Sequence, residues 1–203
     1  MSPENVIVLA NVISFIGNAL FTSSALFKSK KRIIAMQSSC HFLNGVAELM
    51  SSAYSGLVQD GVMLFKNITL LFIDEEKKRL KLFTNVLCIL LALVGGIVIN
   101  ILLSDNVWYG YLPVLGMFLY SVASTYVFVK EGLSKNKTEI LLKSLLIVNG
   151  VCQCIYGIMV KLYPTTIFNA ITITLSIFSI IRICISIYKK KKNQDNLEDI
   201  IEE

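Results

Sequence analysis

Amide, hydroxyl and ionisable side chains recur at helical spacing within apolar segments of this chain. Gln37, His41, Asn44 and Glu48 stand at i, i+4, i+7 and i+11, which places all four on one face of a helix. Polar groups surrounded by hydrocarbon are costly unless they pair with one another or face water. Amides both donate and accept hydrogen bonds, so such a stripe indicates a surface that binds a polar solute.

Five other apolar segments carry similar stripes, whereas the segment 83–103 is polar only near its ends. Interhelical hydrogen bonding and a solvated interior both explain such stripes. The set contains an acid, a base and several amides, which favours a shared polar cavity. The stripe residues are Asn11, Ser14, Asn18 and Thr22; Asp60, Lys66 and Asn67; Gly116, Tyr120 and Ser124; Asn149, Gln153 and Tyr156; and Thr165, Asn169, Thr172, Ser176 and Ser179.

Glu48 and Lys66 are ionisable residues within the predicted membrane segments. Counted from the connection between their two helices at 1.5 Å per residue, we expect Glu48 about 10 Å deep and Lys66 about 13 Å deep. Antiparallel neighbours would then bring them together as an ion pair, unless Lys66 snorkels to the interface. An intramembrane ionisable residue indicates a functional site. Asp60 is expected at the mouth of its helix.

Catalysis, metal binding and cofactor binding have little support. His41 is the only histidine, and the five cysteines all lie inside apolar segments. His41 and Glu48 are about 10 Å apart along one helix, with no third group to complete an acid–base site. The sequence has no His-Glu-x-x-His, phosphate-cradling glycine loop or Gly-x-Ser-x-Gly. We therefore expect no enzyme activity, no metal and no cofactor, with His41 as a packing residue.

Long apolar blocks must position these side chains. Of the 203 residues, 55% are apolar and 16% are charged, whereas roughly a quarter of a soluble domain is charged. Several blocks reach about 20 residues, the helical length that spans a bilayer core. This composition excludes a soluble enzyme, a secreted disulfide scaffold and a disordered chain, and it predicts an all-α polytopic membrane protein. The seven predicted spans are 5–27, 33–55, 57–73, 83–103, 110–129, 139–161 and 164–188.

Basic residues gather at alternate connections, as the positive-inside rule requires. They lie at 28–32, 77–81 and 130–137 and in the tail from 189 onward, and Lys143 and Arg182 lie at helix ends on the same side. Lys66 and Lys161 are the exceptions among the 19. The pattern predicts an N-terminus outside and a C-terminus in the cytoplasm. Orientation already explains the net charge of +5, so we expect the lipid bilayer as partner and no nucleic acid.

The distinct fourth span divides the remaining six into two groups of three. At an offset of 105, the run Asn-Gly-Val occurs at 44–46 and again at 149–151, and Glu48 aligns with Gln153. We predict two three-helix repeats in parallel orientation, 1–73 and 110–188, joined by 74–109, which contains the linker helix. A charged cytoplasmic tail follows at 189–203. Transporters built from repeats place their substrate site near mid-membrane, where the repeats meet.

Several short runs together form a pattern along the chain. They lie at 27–32, Gln37, 53–56, Lys66, Asn67, 112–116, 155–157 and 168–170. This pattern resembles the YgjV-type family of bacterial inner membrane proteins. The resemblance covers 5–187 and implies a multi-pass protein of that membrane.

The three-one-three arrangement is also similar to the SWEET and PQ-loop transporter architecture. In that group an asparagine on the third helix of each repeat borders the substrate, which implies this role for Asn67 and Asn169. SWEET-type helices carry hinge prolines, whereas this chain has only Pro3, Pro113 and Pro164. A SWEET-like gating motion therefore has less support than the arrangement itself.

A facilitative carrier of a small polar metabolite, working by alternating access, is the function these patterns favour. The alternative is a membrane receptor or scaffold that transports nothing, and the sequence leaves homo-oligomer formation open. The predicted substrate-binding residues are Asn44, Glu48, Lys66, Asn67, Asn149, Gln153 and Asn169.

Overall fold

The described part of the chain forms seven α-helices, and the all-α prediction is confirmed there. The computed structural model describes the backbone of residues 2–24, 30–73, 77–129 and 134–201. The helices are α1 (Pro3–Ser24), α2 (Lys30–Met50), α3 (Tyr54–Phe72), α4 (Lys78–Leu103), α5 (Tyr111–Val129), α6 (Lys135–Met159) and α7 (Tyr163–Ile201), with a 3₁₀ turn at Trp108–Gly110 before α5.

Five of these helices are long and apolar enough to cross a membrane: α1, α4, α5, α6 and α7. The prediction of seven spans is therefore met in helix number, but α2 and α3 do not satisfy this criterion by themselves. Their apolar content is diluted by the polar stripes of Gln37 to Glu48 and of Gln59 to Asn67. Both helices pack against neighbours in the bundle, which allows these stripes to face protein rather than lipid.

Helix ends follow local sequence signals. Pro3 and Pro164 lie in the first turns of α1 and α7, where a missing backbone N–H leaves no intrahelical bond unmade. The Ser134 side chain caps α6 by accepting a hydrogen bond from the Lys137 backbone N–H at 3.4 Å. At the other end of α6, Lys161 has a φ of 61°, the left-handed conformation that ends a helix.

The α2–α3 connection differs from the predicted boundary at 55–57. α2 ends at Met50 and α3 begins at Tyr54, and Ser52 turns the chain there with a φ of 54°. Glu48 therefore lies two residues before the end of α2, not about 10 Å inside it. The predicted tail continues α7 as helix to Ile201. Parts of the basic connections and of the family-like run 27–32 fall in 25–29, 74–76 and 130–133, outside the described residues.

Six helices close a ring, and α4 lies outside it. Helices that are consecutive in sequence pack together, α1 also packs against α7, and α3 also packs against α5. These two additional contacts join α1, α2 and α3 to α5, α6 and α7. α4 packs against α3 and α5 on the outside of the ring.

The two ends of the bundle differ in composition. We call one the aromatic end, because Tyr54, Trp108 and Tyr163 lie at its helix termini, and the other the basic end, because α2, α4 and α6 each start there with lysine. At the aromatic end, a small core of fully or almost fully buried residues joins α1, α2 and the α6–α7 turn. Its members are Ala10, Ala47 and Leu162.

Candidate functional site

A cavity of about 460 Å³ lies inside the ring. Half of its lining residues belong to α2 and α3, and the others belong to α1, α5, α6 and α7. Among the residues that the structure describes, α4 contributes none to this lining. Each of the six predicted stripes therefore contributes at least one residue to this lining, whereas other stripe residues lie outside it. Those outside are Asn11, Ser14, Gly116, Ser124, Tyr156, Ser176 and Ser179.

All seven predicted substrate-binding residues line this central cavity, although they come from four different helices. Their role in binding a substrate stays a prediction. They are Asn44 and Glu48 on α2, Lys66 and Asn67 on α3, Asn149 and Gln153 on α6, and Asn169 on α7.

The expected ion pair between Glu48 and Lys66 does not form. Within the described ranges neither side chain has an oppositely charged partner within 4.0 Å. The Glu48 carboxylate packs against Gly56, and Lys66 lies ten residues farther along α3, about 15 Å away along the helix axis. Lys66 also lines a narrow cavity beside Asn85 and Cys88 of α4. The error came from the α2–α3 boundary, since the short turn places Glu48 near the aromatic end.

His41 pairs with Asp60 across the α2–α3 contact, with 2.8 Å between Nδ1 and Oδ1. Both residues line the central cavity, so Asp60 is a wall residue rather than a mouth residue. The bond to Asp60 satisfies one ring nitrogen of His41, and the interpretation of His41 as a satisfied packing residue stays a prediction. Asp60 lies one helical turn beyond Gly56. The signal for His41 in the cavity wall was available, because His41 shares its stripe with Asn44 and Glu48.

Several amides in the cavity wall donate hydrogen bonds to other groups of the protein. The Asn18 Nδ2 donates to the Ser14 backbone oxygen at 2.9 Å and lies 3.3 Å from Asn44 Oδ1. The Asn169 Nδ2 donates to the backbone oxygen of Thr165 at 2.8 Å. These bonds orient the amides and leave their remaining polar atoms for other partners.

Gln59 also lines the cavity and was missed by sequence analysis. Its Nε2 donates to the Ala92 backbone oxygen of α4 at 2.9 Å, and the residue is only 2% exposed. Nothing in the sequence singles it out, because this bond depends on how α3 meets α4.

Four buried polar atoms of the cavity wall have no hydrogen-bond partner within the described protein. Buried polar groups in native proteins are almost always hydrogen-bonded, so such a group needs an explanation. The four atoms are half of the eight such side-chain atoms in the described residues, and the other four belong to Ser51, Ser55, Asn85 and Asn100, outside this lining. Four such residues around one cavity indicate a surface that binds a polar molecule. The four cavity atoms are Glu48 Oε2, Gln59 Oε1, Asn67 Nδ2 and Asn149 Oδ1.

Hydrogen bonds close the ring at the aromatic end, between α3 and α6. The Gly56 backbone N–H donates to the Tyr156 hydroxyl at 3.0 Å. Gly56 lines the central cavity, whereas Tyr156 lines a separate vestibule of about 400 Å³ formed by the turns of the aromatic end. Tyr156 is 2% exposed and the neighbouring Ser55 is 1% exposed. These buried residues separate the vestibule from the cavity.

A second closure joins α1 to α7 at the same end. Ser14 and Thr165 share a hydrogen bond of 3.0 Å between their hydroxyls. The Asn11 side chain donates to the Lys161 backbone oxygen and accepts from the Tyr163 backbone N–H, both at 2.9 Å. The cavity lining extends in the other direction to Thr22 and Ile34, which lie near the basic end.

Residues 8–186 match the family model Imp-YgjV, which is described as a bacterial inner membrane protein. No curated protein and no solved structure matches the chain significantly. The resemblance to the SWEET architecture therefore rests on the sequence alone.

Proposed function

The chain belongs to the YgjV family of bacterial inner membrane proteins, and we propose that it is a facilitative carrier of a small polar metabolite in that membrane. Transport would proceed by alternating access, with the solute bound in the central cavity. The proposal is supported above all by one observation: four residues of the cavity wall each hold a buried polar atom that has no partner within the described protein. Its volume of about 460 Å³ falls within the range of small-molecule sites.

The arrangement of closures supports alternating access. The bonds Gly56–Tyr156 and Ser14–Thr165 each join a helix of the first predicted repeat to one of the second. Breaking them while the repeats rock about the cavity would open a path to the vestibule. The division into repeats at 1–73 and 110–188 is part of this proposal, as is the role of α4 as the linker that lets both repeats keep one orientation.

The conformation described is closed toward the aromatic end. In the proposed orientation that end faces outward and the basic end faces the cytoplasm, since lysine and arginine accumulate on cytoplasmic connections. The cavity lining reaches Thr22 and Ile34 near the basic end. This arrangement supports an inward-facing state of a carrier.

Replacing both Asn67 and Asn169 by alanine tests the site. Each amide is proposed to bind solute, and two lost hydrogen bonds of about 1 kcal/mol each predict a fall in uptake of about tenfold or more. The measurement is uptake by liposomes containing the full chain, with xylitol, glycine, 4-aminobutyrate and butylammonium supplied together and quantified by mass spectrometry. The matched control is Asn136→Ala, since Asn136 is exposed near the start of α6.

Uptake by the double variant at the wild-type rate would contradict the assignment of this site. If the wild-type chain moves none of the solutes but copurifies with one fixed partner, a receptor or scaffold replaces the carrier.

A further inference from the structure

We propose that the half of the central cavity next to the aromatic end binds a primary ammonium group of the solute. The inference rests on the proposed carrier function and specifies the class of molecule carried. It is drawn from three observations: the polar atoms of the wall that have no hydrogen-bond partner, the ionisable groups of the wall, and the heights of these groups along the bundle.

Among the unpartnered buried atoms of the wall, acceptors outnumber donors. Gln59, Asn169 and Thr172 each donate one hydrogen bond to a backbone carbonyl oxygen. Among the unpartnered buried atoms of this cavity, those of Gln59 and Asn149 are acceptors, that of Glu48 is an acceptor when the carboxyl group is ionised, and that of Asn67 is a donor. For Gln59 the unpartnered atom is the amide oxygen, because the amide nitrogen Nε2 donates to the Ala92 backbone oxygen. A ligand that pairs with these acceptor atoms must have N–H or O–H groups.

The ionisable groups of this half, among the described lining residues, are the carboxyl groups of Glu48 and Asp60 and the imidazole of His41. Asp60 is paired with His41 at 2.8 Å. Glu48 is 7% exposed and, in the part of the chain described, has no basic group within 4.0 Å. A buried carboxylate is costly unless it is paired and hydrogen-bonded, and without such a partner the carboxyl group takes up a proton. A cationic donor in the solute would supply the partner that the protein does not.

Glu48, Gln59 and Asp60 lie at similar heights along the bundle. Glu48 packs against Gly56, and Gln59 and Asp60 follow within about 6 Å along the α3 axis. An ammonium group presents three donors to such a set. The positive charge of Lys66 is attached about 15 Å from Gly56 along the same axis, so it lies toward the other half of the cavity.

A set of matched four-carbon ligands tests this inference on the wild-type chain. Butylammonium, butan-1-ol and butyrate differ mainly in the polar group, and 4-aminobutyrate adds a carboxylate to the amine. Affinities are measured by calorimetry on the detergent-purified full chain. Butylammonium should bind about tenfold or more tightly than butan-1-ol or butyrate, because hydrogen bonds to charged groups are the stronger ones. Comparison with 4-aminobutyrate distinguishes a simple amine from a zwitterion, and both contain the ammonium group.

Two variants locate the ammonium. Glu48→Gln should weaken butylammonium binding about tenfold or more, whereas the same change at Glu139, a partly exposed residue paired with Lys143 on α6, should leave it unchanged. Gln59→Leu removes a second acceptor and serves as the test if the Glu48 variant does not fold.

Equal or tighter binding of butan-1-ol, or unchanged butylammonium binding in both cavity variants, would overturn the ammonium site. The carrier proposal and the ammonium site can fail separately, and the two failures give different results. Liposomes that take up xylitol while the chain ignores butylammonium would retain the carrier and remove the ammonium site. A chain that binds butylammonium but transports no solute would retain the ammonium site and remove the carrier function.

Discussion

Gly56 is the residue on which the position of the Glu48 carboxylate depends. A methyl group at Gly56 would overlap that carboxylate, so no other residue fits without moving Glu48. The same glycine donates its N–H to Tyr156. This N–H belongs to the first turn of α3, where no backbone acceptor of the helix is available. One position therefore contacts the acid of the cavity and the tyrosine of the closure.

Gly56→Ala should destabilise the protein by about 1–3 kcal/mol, the usual result of forcing atoms into a packed site. Gly61→Ala provides the comparison in the same helix, because no atom lies within 4 Å of a methyl group there. That change should be neutral or stabilise by about 0.5–1 kcal/mol, since alanine favours helix more than glycine does. Denaturant unfolding in detergent measures both. Equal stabilities for the two variants would show that Glu48 is not held against Gly56.

Among the elements, α3 makes the most varied contacts. Its face toward α2 carries Asp60, which meets His41, and its face toward α4 carries Gln59, which bonds to Ala92. Its first turn meets α6 through Tyr156. These contacts explain how a helix too polar to qualify as a span by composition is accommodated in the bundle: neighbouring helices cover its polar groups.

Tyr156→Phe tests the contact between α3 and α6. The Gly56 N–H would lose its partner at a cost of about 1–3 kcal/mol, so the closure at the aromatic end should open more often. We expect faster modification of a cysteine placed at Ser55 by a water-soluble thiol reagent. Tyr188→Phe, at a residue that is 71% exposed, is the control. If both variants label at the same rate, the hydroxyl does not hold the closure.

At the scale of the whole molecule, the ring and its external helix define how the chain sits in the membrane. The six ring helices bring polar residues to the centre, and α4 packs against α3 and α5 from outside. Along α4, buried residues such as Cys88, Ala92 and Gly96 alternate with exposed leucine, isoleucine and valine. An apolar exposed face of this kind is suited to lipid.

The proposed orientation predicts which positions reach each side of the membrane. In a variant without native cysteines, Asp105→Cys should react with a membrane-impermeant maleimide in intact cells. Lys137→Cys should react only after the membrane is permeabilised, because the connection between α5 and α6 carries the cytoplasmic basic residues. Gel-shift labelling reads both positions. The opposite pattern would reverse the inward-facing assignment of the cavity.

Composition and periodicity alone determined the helical class, the presence of a distinct fourth helix and the polar faces that meet inside. These features follow from local rules: apolar length specifies a span, and a 3.6-residue period specifies a face. For this reason all seven predicted binding residues line the same cavity.

Tertiary structure alone decided which polar groups meet. The pairing of His41 with Asp60, the contact of Glu48 with Gly56 and the bond from Gln59 to Ala92 all depend on the axial register of neighbouring helices. That register is set by where each turn begins. The observed α2–α3 turn lies a few residues before the predicted one, and this difference separates Glu48 from Lys66, because each residue of helix advances about 1.5 Å. A polar stripe specifies which way side chains point from a helix but not their height along the bundle.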